Sequence, residues 1–255
     1  MVLKRVILII LLTACVSSAE RPLRVVVFNI HAGKDAAGVD NLERVAEVIR
    51  STNADLVLLQ EVDRGTTRSG GVDQLAVLMR LTDLHGAFGK SLDYQGGEYG
   101  IATLSRWPIT AHEIIPLRVA PPQTRAGGSV EPRIALVVET HGLRVLNTHL
   151  DASREETYRL QEIDRVLGAI TGTRLLAGGD FNSVPESSVQ ERVRRAGPRD
   201  AWLECGEKDG LTYPADRPVK RIDYLFLTGG FRCASAAVLE STASDHRPLL
   251  VTGIR

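Results

Sequence analysis

The chain has 255 residues, 44% of them apolar and 24% charged, an ordinary globular balance that excludes disorder and low complexity. Thirty-one Lys and Arg offset 31 Asp and Glu, which excludes a protein that grips nucleic acid mainly by its overall field and leaves only a local basic groove open. The apolar run Val6–Val16 is 11 residues long, too short to cross a bilayer as a helix.

The first element is an address. Lys4 and Arg5 precede the apolar stretch Val6–Leu12, and small residues follow, the pattern of an export signal. The exit, Leu12-Thr13-Ala14-Cys15, resembles the bacterial lipoprotein signal, in which cleavage leaves the cysteine as a lipid-bearing N-terminus. Acyl chains on Cys15 would hold the protein on a membrane surface, at about 0.8 kcal/mol per buried CH₂. A plain secretory signal cut after Ala19 and a buried N-terminal strand are the alternatives. The expectation is a signal over 1–19 and one domain over 20–255. The protein would then be in the bacterial cell envelope, lipid-anchored or else periplasmic or secreted, and a monomer.

Leu23–Ile30 is a continuous apolar run of buried-strand length. Leu42, Val45, Ala46 and Ile49 recur at helical spacing behind Asp40, which is placed to cap them. Asp55–Gln60 reads as a strand and Gly71–Arg80 as a shorter helix. Two or three strands follow in quick succession, around Gly100–Leu104 and Ile109–Ile115, before a Pro- and Gly-bearing loop at 116–130. Ile134–Glu139 and Leu143–His149 form a hairpin about Thr140-His141-Gly142. Ser153-Arg154-Glu155-Glu156 is a capping box opening a helix striped by Leu160, Ile163, Leu167 and Ile170. Arg174–Ala177 is a short strand, and Pro185 starts a charged helix ending before Gly197. On that helix Arg192, Arg194 and Arg195 read as a solvated face. Ile222–Leu227, Phe231–Leu239 and Leu249–Ile254 close the chain as strands. Helices alternating with β-rich stretches, without linker or repeat, define one α/β domain; parallel and antiparallel pairing are both open. With Cys15 set aside, Cys205 and Cys233 are an even pair in an oxidising compartment, bridged or free. No Cys-x-x-Cys or His-x-x-x-His spacing provides a structural zinc site.

Polar residues sit where apolar strands end. Asn29 interrupts Val-Val-Val-Phe-Asn-Ile, Glu61 ends Leu-Val-Leu-Leu-Gln-Glu, and Asn147 and His149 end Arg-Val-Leu-Asn-Thr-His. Asp180 and Asn182 follow Leu-Leu-Ala-Gly-Gly, Asp223 opens Asp-Tyr-Leu-Phe-Leu, and Asp245-His246 precede the last strand. A carboxylate at the lip of a core strand is costly unless paired, hydrogen-bonded or bound to metal. Singly, each such residue is more often a cap or a salt-bridge partner. Six such strand ends imply one shared pocket lined by acids, amides and imidazoles.

The ordered series Phe28-Asn29-Ile30, Leu59-Gln60-Glu61, Asn147-Thr148-His149, Gly179-Asp180-Phe181-Asn182, Arg221-Ile222-Asp223-Tyr224 and Ser244-Asp245-His246 resembles the endonuclease/exonuclease/phosphatase (deoxyribonuclease I-like) superfamily. Tyr99-Gly100 and Ser105-Arg106-Trp107-Pro108 also resemble its bacterial members. The resemblance implies a four-layer α-β-β-α sandwich, two mixed β-sheets packed face to face with helices outside. It implies a metal-dependent hydrolase of phosphate esters, with Mg²⁺, or Mn²⁺ as the alternative, held by Glu61, Asn29 and Asp245. Asp180 would activate the attacking water, Asn182 would bond a phosphate oxygen, and Asp223 would orient a protonated His246. His149 would donate to a non-bridging oxygen or protonate the leaving group. His31, Asn147 and Arg133 are further substrate-binding candidates. His31 stands where some members carry an acid, and Arg133 reads equally as a phosphate clamp or a surface ion-pair partner.

The reading that follows is a phosphodiesterase on nucleic acid or lipid headgroups. The alternatives are a phosphomonoesterase on inositol or lipid headgroups and a catalytically inactive scaffold on the same fold.

Overall fold

The computed structural model describes residues 21–123, 130–170 and 174–255. The signal expected over 1–19, with Cys15, lies outside the described residues. Along the chain run β1 (Leu23–Asn29), α1 (Leu42–Thr52), β2 (Leu56–Arg64), α2 (Gln74–Thr82), β3 (His85–Tyr94), β4 (Gly97–Ser105) and β5 (Ile109–Pro116). Next come β6 (Ile134–Thr140), β7 (Leu143–His149), α3 (Thr157–Ile170), β8 (Leu176–Asp180) and α4 (Ser188–Ala196). The chain closes with β9 (Arg199–Asp200), α5 (Ala201–Cys205), β10 (Asp223–Leu227), β11 (Ser235–Val238) and β12 (Leu249–Ile254). No described helix is long and apolar enough to cross a membrane.

Strands that are apolar at every position need cover on both faces, and the two mixed sheets provide it. One has the order β11-β12-β1-β2-β4-β3, the other β5-β6-β7-β8-β10-β9. Pairing is parallel for β1/β2 and β7/β8 and antiparallel in the other ladders. Side chains alternate along each strand. In β1, Val25 and Val27 point into the core between the sheets, with Leu56, Leu58, Leu136, Leu176 and Leu225. Val26 and Phe28 point the other way, onto Val45, Ala46 and Ile49 of α1 and Leu78 of α2. Ala177, Tyr224 and Phe226 play the same part against Ile163, Val166 and Ile170 of α3 and Val189 of α4. The layers are therefore helix, sheet, sheet, helix.

Several local expectations need correction. Asp40 does not cap α1; it pairs with Lys34 Nζ at 2.7 Å, and Asn41 holds the cap position without a side-chain bond. The capping box at Ser153 does not form, because the Ser153 N–H is taken by Asp151 Oδ1 at 2.8 Å and α3 begins only at Thr157. The Phe231–Leu239 strand shrinks to the four residues of β11. Cys205 and Cys233 are joined in a disulfide that fastens α5 to the segment entering β11. The basic face of α4 is solvated and locally paired, Arg192 with Asp164 and Arg195 with Glu191.

Candidate active site

The polar strand ends meet at one end of the sandwich, over the seam between the sheets. In the first sheet β1 ends on Asn29, and β2 slips register between Leu59 and Val62. Glu61 sits in that bulge with φ +58°, the device by which a strand re-aims one side chain. In the second sheet His149 pairs with Asp180 across β7/β8, and Asp223 pairs with Asp180 across β10/β8. Three ionisable residues thus stand in one row on neighbouring strands.

Asn29 joins the two sheets. Its Nδ2 donates to Glu61 Oε1 at 3.2 Å and to Asp180 Oδ2 at 3.1 Å, while its Oδ1 accepts the His31 N–H at 3.0 Å. A backbone N–H can only donate, so the amide's orientation is fixed and Asn29 turns its NH₂ to the carboxylates. It clamps two acids, and its Oδ1 keeps a second lone pair beyond the His31 N–H.

Asp180 is 1% exposed; Asn182 N–H donates to its Oδ1 at 2.8 Å. Burial, then the neighbouring Asp223 charge, raise its pKa to about 7 against the lowering effect of His246. His246 Nδ1 is 2.9 Å from Asp223 Oδ2, and its Nε2 is 3.7 Å from Asp180 Oδ2. Burial works against a charged imidazole here, but the Asp223 and Asp180 carboxylates outweigh it and push the pKa up to about 10. The imidazole is therefore protonated at neutral pH and offsets two acids. The Tyr213 ring leans on it with centroids 4.8 Å apart.

A cleft of about 1000 Å³ opens above this row, and Glu61, Arg133, His149, Asp180, Asn182, Asp245 and His246 all line it. Asn29, Asp223 and Asn147 are buried behind this lining. Asn147 is a correction. Its Nδ2 donates to the carbonyls of Leu59 and Ala102, and its Oδ1 accepts from Gln60 Nε2 at 2.7 Å. Fully buried, it ties the two sheets together beneath the site and does not meet substrate. His31 stands half-exposed in a left-handed turn, φ +48°, with Nδ1 3.9 Å from Oδ1 of the cleft-lining Asp245. Arg133 is buried and sits between Glu131, at 2.7 Å, and His149 Nδ1, at 3.0 Å, which excludes a surface ion pair.

Sequence reasoning missed three supports. Gln74 holds the turn after β1 through the Ala32 carbonyl, at 2.6 Å. Arg68 chelates buried Asp63 and lies over the rings of Tyr94 and Tyr99 at the cleft's edge. Tyr213 enters from a loop. Gln74 and Tyr213 carried no signal because their partners, Ala32 and His246, are distant in sequence, and Arg68 and Asp63, five residues apart, fall in no motif.

Two groupings are candidates for a divalent cation. Asp180, Asp223 and His246 offer one atom each within 4.8 Å of one another. A cation held there would have to displace the proton of the His246 imidazolium, which has no lone pair to give. Glu61 is half-buried and accepts only the Asn29 amide among the described residues. Asp245 is half-buried nearby, and both line a cleft that also carries Arg68, Arg133, Arg154, Arg159 and Lys220. The hard oxygen donors of Glu61 and Asp245 suit Mg²⁺ or Mn²⁺ better than a soft-ligand metal.

These features define a phosphoesterase-type site on an α-β-β-α sandwich. The chain belongs to the Endonuclease/Exonuclease/phosphatase family, whose sequence profile matches residues 26–246, and members of that family are hydrolases acting on phosphate esters. It is 25% identical to the uncharacterised protein YbhP of Escherichia coli (strain K12) over 244 residues, covering 89% of this chain and 94% of that one. The crystal structure of an endonuclease/exonuclease/phosphatase from Beutenbergia cavernae superposes with a TM-score of 0.74 at 24% identity, covering 92% of this chain and 72% of that one. A mannosyl-6-phosphatase of Bacteroides thetaiotaomicron gives 0.71 at 18% identity, covering 90% and 98%. At these identities the two structures share the fold.

Proposed function

We propose that the protein is an exported, metal-dependent phosphodiesterase in which Asp180 orients and deprotonates the attacking water. The observation that carries this reading is Asp180 itself: a buried carboxylate on the cleft floor, held by Asn29 and Asn182, with its pKa raised to about 7. A base poised near neutrality is ionised often enough to act and basic enough to take a proton. His246, cationic beside it, offsets charge gathering on the phosphoryl oxygens. Glu61 and Asp245 would hold the divalent ion, whose bound form supplies further neutralisation of that charge. Cleft walls come from Tyr94 and Tyr99 of β3 and β4 on one side and from Ser153 and Ser187, in the segments that follow β7 and β8, on the other. A phosphorus atom bearing a substituent on each side, as in a diester, suits such a site. The signal sequence and the Cys205–Cys233 disulfide agree with export, with Cys15 as the lipid-bearing residue.

Asp180→Asn is the test. With Mg²⁺ and bis(p-nitrophenyl) phosphate, wild type turns over and EDTA abolishes turnover, while the variant loses about a thousandfold in kcat yet melts cooperatively. Equal rates in the two proteins would remove Asp180 from the reaction. A preference for p-nitrophenyl phosphate over the diester would replace the diester reading with the monoester one.

A further inference from the structure

His149 is 4% exposed, and a donor stands at each of its ring nitrogens. Arg133 Nη1 is 3.0 Å from Nδ1, and Asn182 Nδ2 is 3.1 Å from Nε2. The Asn182 amide is oriented by the Leu150 carbonyl, which accepts one of its N–H groups at 3.0 Å. A neutral imidazole has one acceptor nitrogen and an imidazolium has none, so both donors cannot be served.

Magnitudes decide between them. A charge-assisted hydrogen bond is roughly twice as strong as a neutral one, which favours the guanidinium over the amide. Placing a proton on Nδ1 would also press an N–H against a buried cation. Arg133 has little room to withdraw, because Glu131 Oε1 fixes the same Nη1 at 2.7 Å. Nδ1 is therefore the acceptor and Nε2 carries the proton. Among the described residues the Asp180 carboxylate also faces the ring, with Oδ2 3.6 Å from Nε2, and it favours a proton on that nitrogen. Nε2–H and the second N–H of Asn182 then lie side by side on the cleft wall, two donors converging on one place for an oxygen.

We propose that Arg133 is a positioning residue that locks His149 in the neutral Nε2–H tautomer, so that His149 and Asn182 together offer two N–H donors to one phosphoryl oxygen. The tautomer stands on geometry alone, while the phosphoryl oxygen rests on the phosphodiesterase reading. In this state His149 gives a hydrogen bond and keeps its proton, because surrendering it would leave an imidazolate. The leaving oxygen takes its proton from another source.

The experiment is ¹⁵N–¹H correlation of the full chain with labelled histidine, the His149 signals being identified by their loss in His149→Gln. The expected spectrum shows one protonated and one bare ring nitrogen, Nε2 and Nδ1 respectively, unchanged from pH 5.5 to 8.5. In Arg133→Met, which cannot donate, the ring titrates or the proton moves to Nδ1, and Arg133→Lys restores the wild-type pattern in part. In uniformly ¹⁵N-labelled protein, titration with inorganic phosphate moves the His149 Nε2–H and Asn182 side-chain amide resonances together, the latter identified by its loss in Asn182→Ala. Diester turnover falls about ten- to a hundredfold in Arg133→Met, the worth of one bond between a donor and a charged oxygen. An imidazolium or an Nδ1–H form in wild type at pH 7 overturns the proposal whatever the activity, and does so even if Arg133→Met fails to fold. Phosphate that moves neither resonance overturns the paired donors. The expected tautomer in a protein that cleaves no phosphate ester would instead overturn the phosphodiesterase reading and leave the tautomer standing.

Discussion

Asp55 and Asp180 are buried to the same degree, at 0% and 1% exposure, and their neighbours give them opposite work. Asp55 is saturated: Arg21 and Arg106 bond Oδ1, and the Arg24 N–H reaches Oδ2 at 2.9 Å. Asp180 receives one side-chain amide and one backbone N–H, and its flanking imidazoles stand off at 3.6 and 3.7 Å. The first aspartate is a rivet and the second a reagent. Asp55→Asn is expected to cost about 2 kcal/mol, discounted for its half-exposed arginines, and to leave kcat within about twofold. Asp180→Asn should do the reverse. Its folded-state pKa of about 7 lies above the ordinary 3.8, so the native protein binds more protons than the unfolded chain between those values, and wild type loses stability as pH rises through that window. Urea unfolding in EDTA should show the variant level with wild type near pH 4, progressively more stable towards pH 7, and ahead by a constant margin above it. A variant less stable than wild type at pH 8 would mean that the Asp180 charge is compensated after all.

At the scale of elements, β8 delivers Asp180 and is the least forgiving strand. Gly179 has φ +144°, and a Cβ there would stand 1.8 Å from the Thr148 carbonyl oxygen of β7. Gly142, in the β6–β7 turn, has φ +70° but open space around it. Gly142→Ala should therefore cost about 1 kcal/mol, the left-handed penalty alone, whereas Gly179→Ala should cost at least about 3 kcal/mol or abolish folding, because backbone must move as well. Thermal melts of the two variants check the contrast. The legibility of the fold follows the same physics. Core strands such as Leu23–Asn29 and Leu56–Gln60 show in the sequence because burial on both faces demands continuous apolar residues. Edge elements do not: β3 carries Gly86, Gly89 and Lys90, and β9 is two residues long, so neither has a pattern to read. Strand-end acids and imidazoles were legible as a set. Which of them face the cleft depends on strand direction and on contact between sheets, and for that reason the sequence alone does not show that Asn147 bonds Gln60 beneath the site.

Across the whole molecule charges of both signs balance. At the cleft, where β1 ends, Glu61, Asp180 and Asp245 stand among Arg68, Arg133, Arg159 and Lys220. The opposite pole, where β1 begins, carries Arg21 and Arg106 on Asp55, Arg174 over the Phe231 ring, and Arg232 beside Arg255. An anchor at Cys15 would therefore draw the basic pole to the membrane, and anionic headgroups would favour that seating by about 1 kcal/mol per arginine near the surface. Residues 16–22 between such an anchor and β1 number seven and reach at most about 25 Å when fully extended. A domain of this size is about 45 Å across, so the tether is too short to swing the cleft round to the same bilayer. The expected substrate is then a soluble phosphodiester, or one presented from outside the anchoring leaflet. Full-length protein reconstituted into phosphatidylglycerol/phosphatidylethanolamine vesicles should cleave bis(p-nitrophenyl) phosphate as fast as the soluble Cys15→Ser form and leave the headgroups of its own vesicle intact. Hydrolysis of those headgroups by the anchored form, but not by the soluble one, would mean that the cleft faces the membrane and that the N-terminal tether does not set the orientation.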